Sequence, residues 1–448
     1  MTHSRRPQPH FSVADSEKSG QFPGHAALHR RALLQLGALG GAAWLTNVAQ
    51  LLALDETARA PAPSQTDRPM AQSLIVLWLA GGPSQLETFD PHPGKKIAGD
   101  TRAIETAVKG VRFATGLERV AEQMESIALV RSLVSKEGDH ERGTYLVKNG
   151  YRPDATAVHP SIGAICCHEL PGAGTEIPRH IAILPGQWPA RGGYLGDAYD
   201  AFQANDPASK VSDVTSRIDE PRYRQRLADL DLLDERFARG RRGAVDATLH
   251  RATVREARKM MTSEQLAAFD VSQASAGERA AYGDTPFGRG CLAARRLVGV
   301  GVRCVEVTLD GWDSHVDNHQ IHTDRKGTLD PALAALLTDL KTHELWDRTL
   351  VLVAGEFGRT PRINRLGGRD HWTQGFSMAL AGGRIRGGTV IGATDPEGGR
   401  TVENPKQVAD IHATLLAALG IDPAKELLSP AGRPLKLAEG QPIAELLV

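Results

Sequence analysis

The run from Leu350 to Ala354 (LVLVA) is five consecutive apolar residues, and the chain turns polar immediately beyond it. Strict alternation would mark a strand with one wet face, whereas an unbroken Val/Leu run marks a strand covered on both faces. Such strands belong to α/β sheets, whose ligand sites lie beyond the carboxyl ends of the strands. Here that position carries Glu356, Arg359, Arg369, Asp370 and His371, bent by Gly355, Gly358, Gly367 and Gly368. Carboxylate, imidazole and guanidinium groups on glycine-rich loops are the inventory of a metal or oxyanion site.

Other segments repeat the strand-then-polar-loop plan. Ser73 to Leu79, Ile127 to Val134, His180 to Leu184 and Val302 to Leu309 read as strands, with Phe376 to Leu380 and Val390 to Ile391 as shorter ones. Leu333, Leu336, Leu337 and Leu340 form the buried stripe of a helix, and a late helix through Val408, Ile411, Leu415 and Leu419 stops at Gly420. Strands alternating with helices predict an α/β sheet with crossovers. A charged, helix-favouring stretch interrupts the alternation, which predicts a helical insertion over about 205–285.

The first 70 residues read differently. Arg30-Arg31 precedes 23 uncharged residues, Ala32 to Leu54. A twin arginine ahead of an apolar, glycine-rich segment resembles a Tat export leader, expected over 1–60 with a linker over 61–70. The implied partner is the Tat translocon and the implied location periplasmic or extracellular. An uncleaved leader would anchor the protein, since 23 uncharged residues could span a bilayer. Lys+Arg and Asp+Glu are equal at 53 each, and no basic run appears, which argues against a nucleic-acid partner. The four cysteines form no CxxC pair, and buried free thiols are the default. Cys291 and Cys304 could bridge in an oxidising compartment, whereas the adjacent Cys166 and Cys167 are poorly placed to pair.

Four polar clusters follow four strands. In the first, Gly81 and Gly82 allow close backbone approach to a ligand, and Ser84 either donates to an oxyanion or caps a short turn. The second holds His140 on a loop, flanked by acidic residues. The third is dense: Asp313, His315, Asp317, His319 and His322 fall within ten residues. Asp313-x-His315 puts two ligands on one side of an extended segment. In the fourth, Asp370 and His371 reach one site only through a turn, for which Gly367-Gly368 supply the flexibility. Arg359 and Arg369 either meet an anionic substrate or pair with Glu356 and Asp370.

At this point the residues carry a resemblance. The segments LWLAGGPSQLETFDPHPG, DHERGTYLVKNGYRP, GWDSHVDNH, GEFGRTPRINRLGGRDHW and GRPLKLAEGQPIAELL resemble the exported bacterial proteins of domain of unknown function family 1501. That family is similar to the sulfatases and alkaline phosphatases. The resemblance implies an alkaline-phosphatase-like three-layer α/β sandwich with a mostly parallel sheet, and hydrolysis of sulfate or phosphate esters with a divalent metal. The implied substrate is an anionic small-molecule or polysaccharide ester. The departures are informative. Ala80-Gly81-Gly82 stands where sulfatases carry paired aspartates, Glu356-Phe357 where they carry an Asp-His pair, and His140 at the nucleophile's place. Either the ligands are rebuilt, or catalysis is lost and binding remains. The expected metal ligands are Asp313, His315, Asp370 and His371, for zinc, manganese or calcium. His140 or Glu356 is the expected general base or an additional ligand, and Arg359 and the Gly82–Ser84 turn are expected to hold developing negative charge.

Overall fold

The structure, a computed structural model, describes residues 70–241 and 248–448. The expected leader, its reading as a membrane anchor and all but the last residue of the expected linker lie outside the described residues. Among the described residues no helix is long and apolar enough to cross a membrane.

A nine-stranded sheet organises the chain. Its strands are β1 (Ser73–Leu79), β2 (Ile127–Val134), β3 (His180–Ile183), β4 (Phe202–Ala204), β5 (Cys304–Leu309), β6 (Thr349–Ala354), β7 (Phe376–Gly382), β8 (Val390–Ile391) and β9 (Lys406–Gln407). The spatial order is β8-β2-β7-β6-β1-β5-β3-β4, with β9 also on β2. Every pairing is parallel except those of β7, which runs against both β2 and β6. The central strand β1 is flanked in register by β5 (Leu77↔Val307) and β6 (Leu77↔Val353), all buried.

The unbroken apolar runs are explained by cover on both faces. Ile75, Leu77 and Leu79 of β1 enter one core, while Leu74, Val76 and Trp78 enter the other. Period-two alternation therefore splits one strand between two cores. The first core is closed by helices Pro286–Gly299 and Asn318–Thr342, with Met260, Phe269 and Val271 from the insertion. The second is closed by His140–Asn149, Ile162–Glu169 and Val408–Ala418. The architecture is the expected three-layer sandwich. The expected insertion contains helices Glu220–Ala238 and His250–Thr262. All four cysteines are buried and free, so Cys291 and Cys304 do not bridge.

Parallel strands deliver their carboxyl ends to one rim. The segments after β1, β2, β5 and β6 therefore emerge together. Because β7 is reversed, its first residue Phe376 pairs with Leu133 near the end of β2. The residues preceding β7 thus reach the same rim. One buried ion pair anchors the loops there: Arg369 meets Glu87 at 2.8 Å, with side chains 0% and 1% exposed. Arg369 was expected to face Asp370 or a substrate; it is instead fully committed to the interior. Burial pushes the Glu87 carboxyl up, but Arg369 outweighs it and holds its pKa at about 2.

A depressed carboxylate pKa contributes stability that is present above its unfolded value and lost as pH falls through the folded one. Between about pH 4.5 and pH 2 the protein should lose on the order of 3 kcal/mol through Glu87. At pH 7, Glu87→Gln should cost about 3–5 kcal/mol in urea denaturation by leaving a buried guanidinium unpaired. The gap between wild type and variant should close on acidification; a gap that is constant with pH would contradict this assignment.

Candidate metal centre

Local backbone chemistry places each side chain. Asp139 caps the helix His140–Asn149, its carboxylate accepting from the Arg142 N–H at 3.1 Å. His140 is thus the first residue of a helix and is not on a loop as expected. Gly81 (φ 113°) lies under the Asp313 segment, where an added Cβ would stand 2.4 Å from the Asp313 nitrogen. Gly368 plays the same part under His315, with 1.9 Å to its carbonyl oxygen. A two-residue ladder pairs His371 with Arg359 and Trp372 with Gly358. This ladder, rather than a free turn, fixes the orientation of His371.

These segments bring four predicted residues together. His140 Nε2 stands 3.4 Å from Asp313 Oδ2, and His315 Nε2 3.3 Å from Asp313 Oδ1. His371 Nε2 lies 3.7 Å from Asp313 Oδ1 and 3.0 Å from His315 Nε2. Donor atoms of His140, Asp313 and His371 all fall within 4.8 Å of one another. Donors arranged around a zinc ion at about 2.0–2.1 Å stand roughly 3.3 Å apart.

The other face of each imidazole fixes its tautomer. His140 Nδ1 is 2.6 Å from Glu356 Oε1, His315 Nδ1 is 3.0 Å from Asp370 Oδ1, and His371 Nδ1 is 2.7 Å from the Gly138 carbonyl. Carbonyl and ionised carboxylate oxygens only accept, so the hydrogen-bond network assigns the proton to Nδ1 in all three rings. In its neutral form each ring aims an Nε2 lone pair inward, and the 3.0 Å contact between the Nε2 atoms of His315 and His371 is satisfied by a proton or a cation. Two lone pairs at 3.0 Å beside a carboxylate repel unless positive charge sits among them. His140 Nε2 is buried and has no hydrogen-bond partner, as befits a nitrogen reserved for a cation.

Asp313 is held by Arg359, whose Nη2 donates to Oδ1 at 2.6 Å. The same guanidinium donates to the carbonyls of Gly82, Arg369 and Gly81. It is completely buried. Arg359 therefore reaches the centre only through Asp313 and does not face substrate as expected. Burial alone would raise the Asp313 carboxyl, but Arg359 overrides it and the group titrates below its usual range. Asp370 is lowered by its bond to His315. The Glu356 bond raises His140, and burial lowers His371. Phe357, which cannot ligate, packs against the rings of His140 and His371 at 5.1 and 4.4 Å.

The remaining expectations place elsewhere. Ser84 is buried, and its backbone N–H donates to His322 Nε2 at 2.8 Å. The Gly81 N–H donates to Glu356 at 3.0 Å. Those amides of the turn are spent inside the fold. His322, one of the polar residues clustered after β5, lies in the helix Asn318–Thr342, where burial pushes its pKa down to about 4. His319 stands by Thr101 and Glu87. Asp370 touches His315 instead of joining the inner donors. The inner set is thus nitrogen-rich. Three imidazoles and one carboxylate suit zinc or manganese, whereas calcium takes six to eight oxygens. Sequence reasoning did not foresee the Gly138 carbonyl as a partner of His371, because a backbone acceptor leaves no mark in side-chain identity.

The sequence matches, over residues 71–447, the family described as "Protein of unknown function (DUF1501)". The chain belongs to the DUF1501 family. No curated protein matches by sequence. Among solved structures, the chain is similar to the alkaline phosphatase of the Antarctic bacterium TAB5 at 12% identity and a TM-score of 0.36, covering 80% of this chain and 100% of that one. It is also similar to the PsFucS1 sulfatase from Pseudoalteromonas sp., at 11% identity and 0.37, covering 84% and 70%. Ps i-CgsB matches at 9% and 0.37, covering 79% and 73%. Likenesses this distant say nothing of what this DUF1501 chain binds or cleaves.

Removing an outer partner should loosen the inner set without destroying it. Glu356→Gln should weaken zinc binding about 10–100-fold in a chelator competition titration. Unchanged affinity would mean that the Glu356 bond does not serve a metal ligand.

Proposed function

We propose that this chain is an exported, metal-dependent hydrolase of sulfate or phosphate esters. The observation that carries the reading is the convergence of three Nδ1-protonated imidazoles and Asp313 at an open rim. Export is argued from Arg30-Arg31 and the apolar segment after it, and the ester class from the sequence segments whose family resembles the sulfatases and alkaline phosphatases. In this reading His140, Asp313 and His371 hold the cation. A divalent cation supplies Lewis acidity to an ester oxygen and brings the pKa of a water toward about 7.

The chain's own residues do the rest. Arg359 orients Asp313, Glu356 orients His140, and the Gly138 carbonyl orients His371. His315 has a different character. Its side chain and that of Asp313 are 44% and 46% exposed, so this side of the cluster opens to solvent. Asp370 holds its Nδ1–H and leaves Nε2 facing the centre. His315 thereby carries a proton to or from the reacting group, with Asp370 as its positioning residue. In this reading Asp370, expected as a ligand, is the orienting group, and of the two roles expected for His140, base or additional ligand, it takes the second.

A second reading has its own support. If His315 also binds, four protein donors fill a tetrahedral zinc, which is the signature of a structural site. The protein would then be a non-catalytic exported binding or assembly protein on a hydrolase-like scaffold.

Metal analysis and turnover of aryl sulfate and aryl phosphate esters separate the two. Wild type should hold about one equivalent of zinc or manganese, and Asp313→Ala or His371→Ala should abolish it. His315→Gln and Asp370→Asn should keep the metal within about tenfold in affinity while lowering kcat by about 10²–10⁴. Loss of metal in His315→Gln, together with no turnover by wild type, would establish the structural reading instead.

A further inference from the structure

We propose that the helical insertion joins two copies of this chain, helix Glu220–Ala238 of one lying antiparallel against the same helix of the other. This surface is separate from the metal centre and depends on neither reading of it. The helix is 19 residues long, yet only Ala238 is buried. Helical stability in proteins comes mostly from packing an apolar face. Helix His250–Thr262 covers one such face. The Tyr223 hydroxyl meets Met261 Sδ at 3.6 Å, and Asp234 meets His250 at 3.6 Å. The start of each helix thus stands by the end of the other, which makes the pair an antiparallel hairpin. Tyr223, Leu227, Leu230 and Asp234, at i, i+4, i+7 and i+11, form its half-buried seam.

A second seam on the same helix is left uncovered. Asp229, Leu232, Leu233 and Arg236 fall at i, i+3, i+4 and i+7 and are all exposed, with Phe237 one turn beyond Leu233. Leu232 is 47% exposed, and Leu233 and Phe237 are 61% exposed. Of the ten exposed large apolar side chains among the described residues, three lie on this helix and a fourth, Leu249, immediately precedes the other helix of the hairpin. One exposed leucine needs no explanation, but a cluster marks an interaction surface.

The pattern of charge identifies the occupant. Asp229 and Arg236 stand seven residues apart, the spacing of equivalent positions in a coiled coil. Their midpoint falls between Leu232 and Leu233. A second helix turned antiparallel about that midpoint sets each Asp229 opposite the other copy's Arg236 and packs the two leucine pairs together. The seam is therefore complementary to itself, which is what a two-fold interface requires. Both charged groups are free for that role. Among the described residues no cation pairs with Asp229 and no carboxylate with Arg236, and Asp229 accepts only from the Gln225 side chain at 2.9 Å. A lipid surface is the competing occupant, but Asp229 and Glu235 border the leucines, and the anionic lipids that attract basic helices would repel them. A seam of this length is small, so the dimer belongs to the weak, transient class.

Sedimentation velocity of the full chain over roughly 1–100 μM tests the proposal, with flotation on phosphatidylglycerol vesicles as comparator. Wild type should pass from monomer to dimer within that range. The variant L232S/L233S, altered only at exposed positions, should associate at least about tenfold more weakly. Asp229→Arg and Arg236→Asp should each weaken association about fivefold or more, because each sets like charges opposite one another at two places. The exchanged pair D229R/R236D should return to within about threefold of wild type. A monomer throughout the range, a dimer indifferent to these substitutions, or single-variant losses that the exchange does not reverse would overturn the pairing. Vesicle binding that L232S/L233S abolishes while self-association is unchanged would overturn it too, and would assign the leucines to lipid.

Discussion

One buried guanidinium ties the rim together. Arg359 donates to carbonyls of Gly81, Gly82 and Arg369 and to the Asp313 carboxylate, so a single side chain joins the segments after β1, β5 and β6 with the one before β7. An arginine buried this completely needs partners for its donors, and the loops supply them in return for a fixed geometry. The consequence is functional. Asp313 can face three imidazoles only because its orientation is imposed from beneath, by a group that solvent does not reach.

The centre is built in two layers. Inside stand the Nε2 atoms and Asp313; outside stand Glu356, Asp370 and the Gly138 carbonyl, each accepting an Nδ1–H. Both layers include positions at which the sulfatase resemblance implied other residues. Glu356 and Phe357, where the resemblance implied an Asp-His pair, both touch the cluster. Glu356 anchors His140, and Phe357 packs against His140 and His371. Ala80-Gly81-Gly82 replaces paired aspartates, and Gly81 admits the Asp313 backbone to the space that a larger residue would fill.

Much of the fold was legible because each signal was local and strong. Unbroken apolar runs marked the central strands, and their burial on both faces is what such runs require. The Leu333–Leu340 stripe marked a helix, although that helix starts at Asn318 and so takes in His319 and His322 of the dense polar cluster. Nothing in that stretch announces the helix start: Asp317 sits there in a left-handed conformation (φ 45°) and makes no side-chain cap. The members of the site were legible too, since His140, Asp313, His315 and His371 all follow strands that share a direction. Their roles were not. Roles depend on which ring nitrogen faces inward, and that is decided by partners more than 200 residues away, such as Glu356 for His140 and Gly138 for His371.

A cation belongs among these nitrogens and Asp313, and X-ray absorption of the zinc-loaded protein reads its neighbours. The spectrum should show a first shell of nitrogen and oxygen only, at about 2.0–2.1 Å, with outer-shell scattering from at least two imidazoles that drops in His140→Ala. A spectrum containing sulfur, or one showing no imidazole and unaltered in that variant, would place the metal elsewhere in the protein.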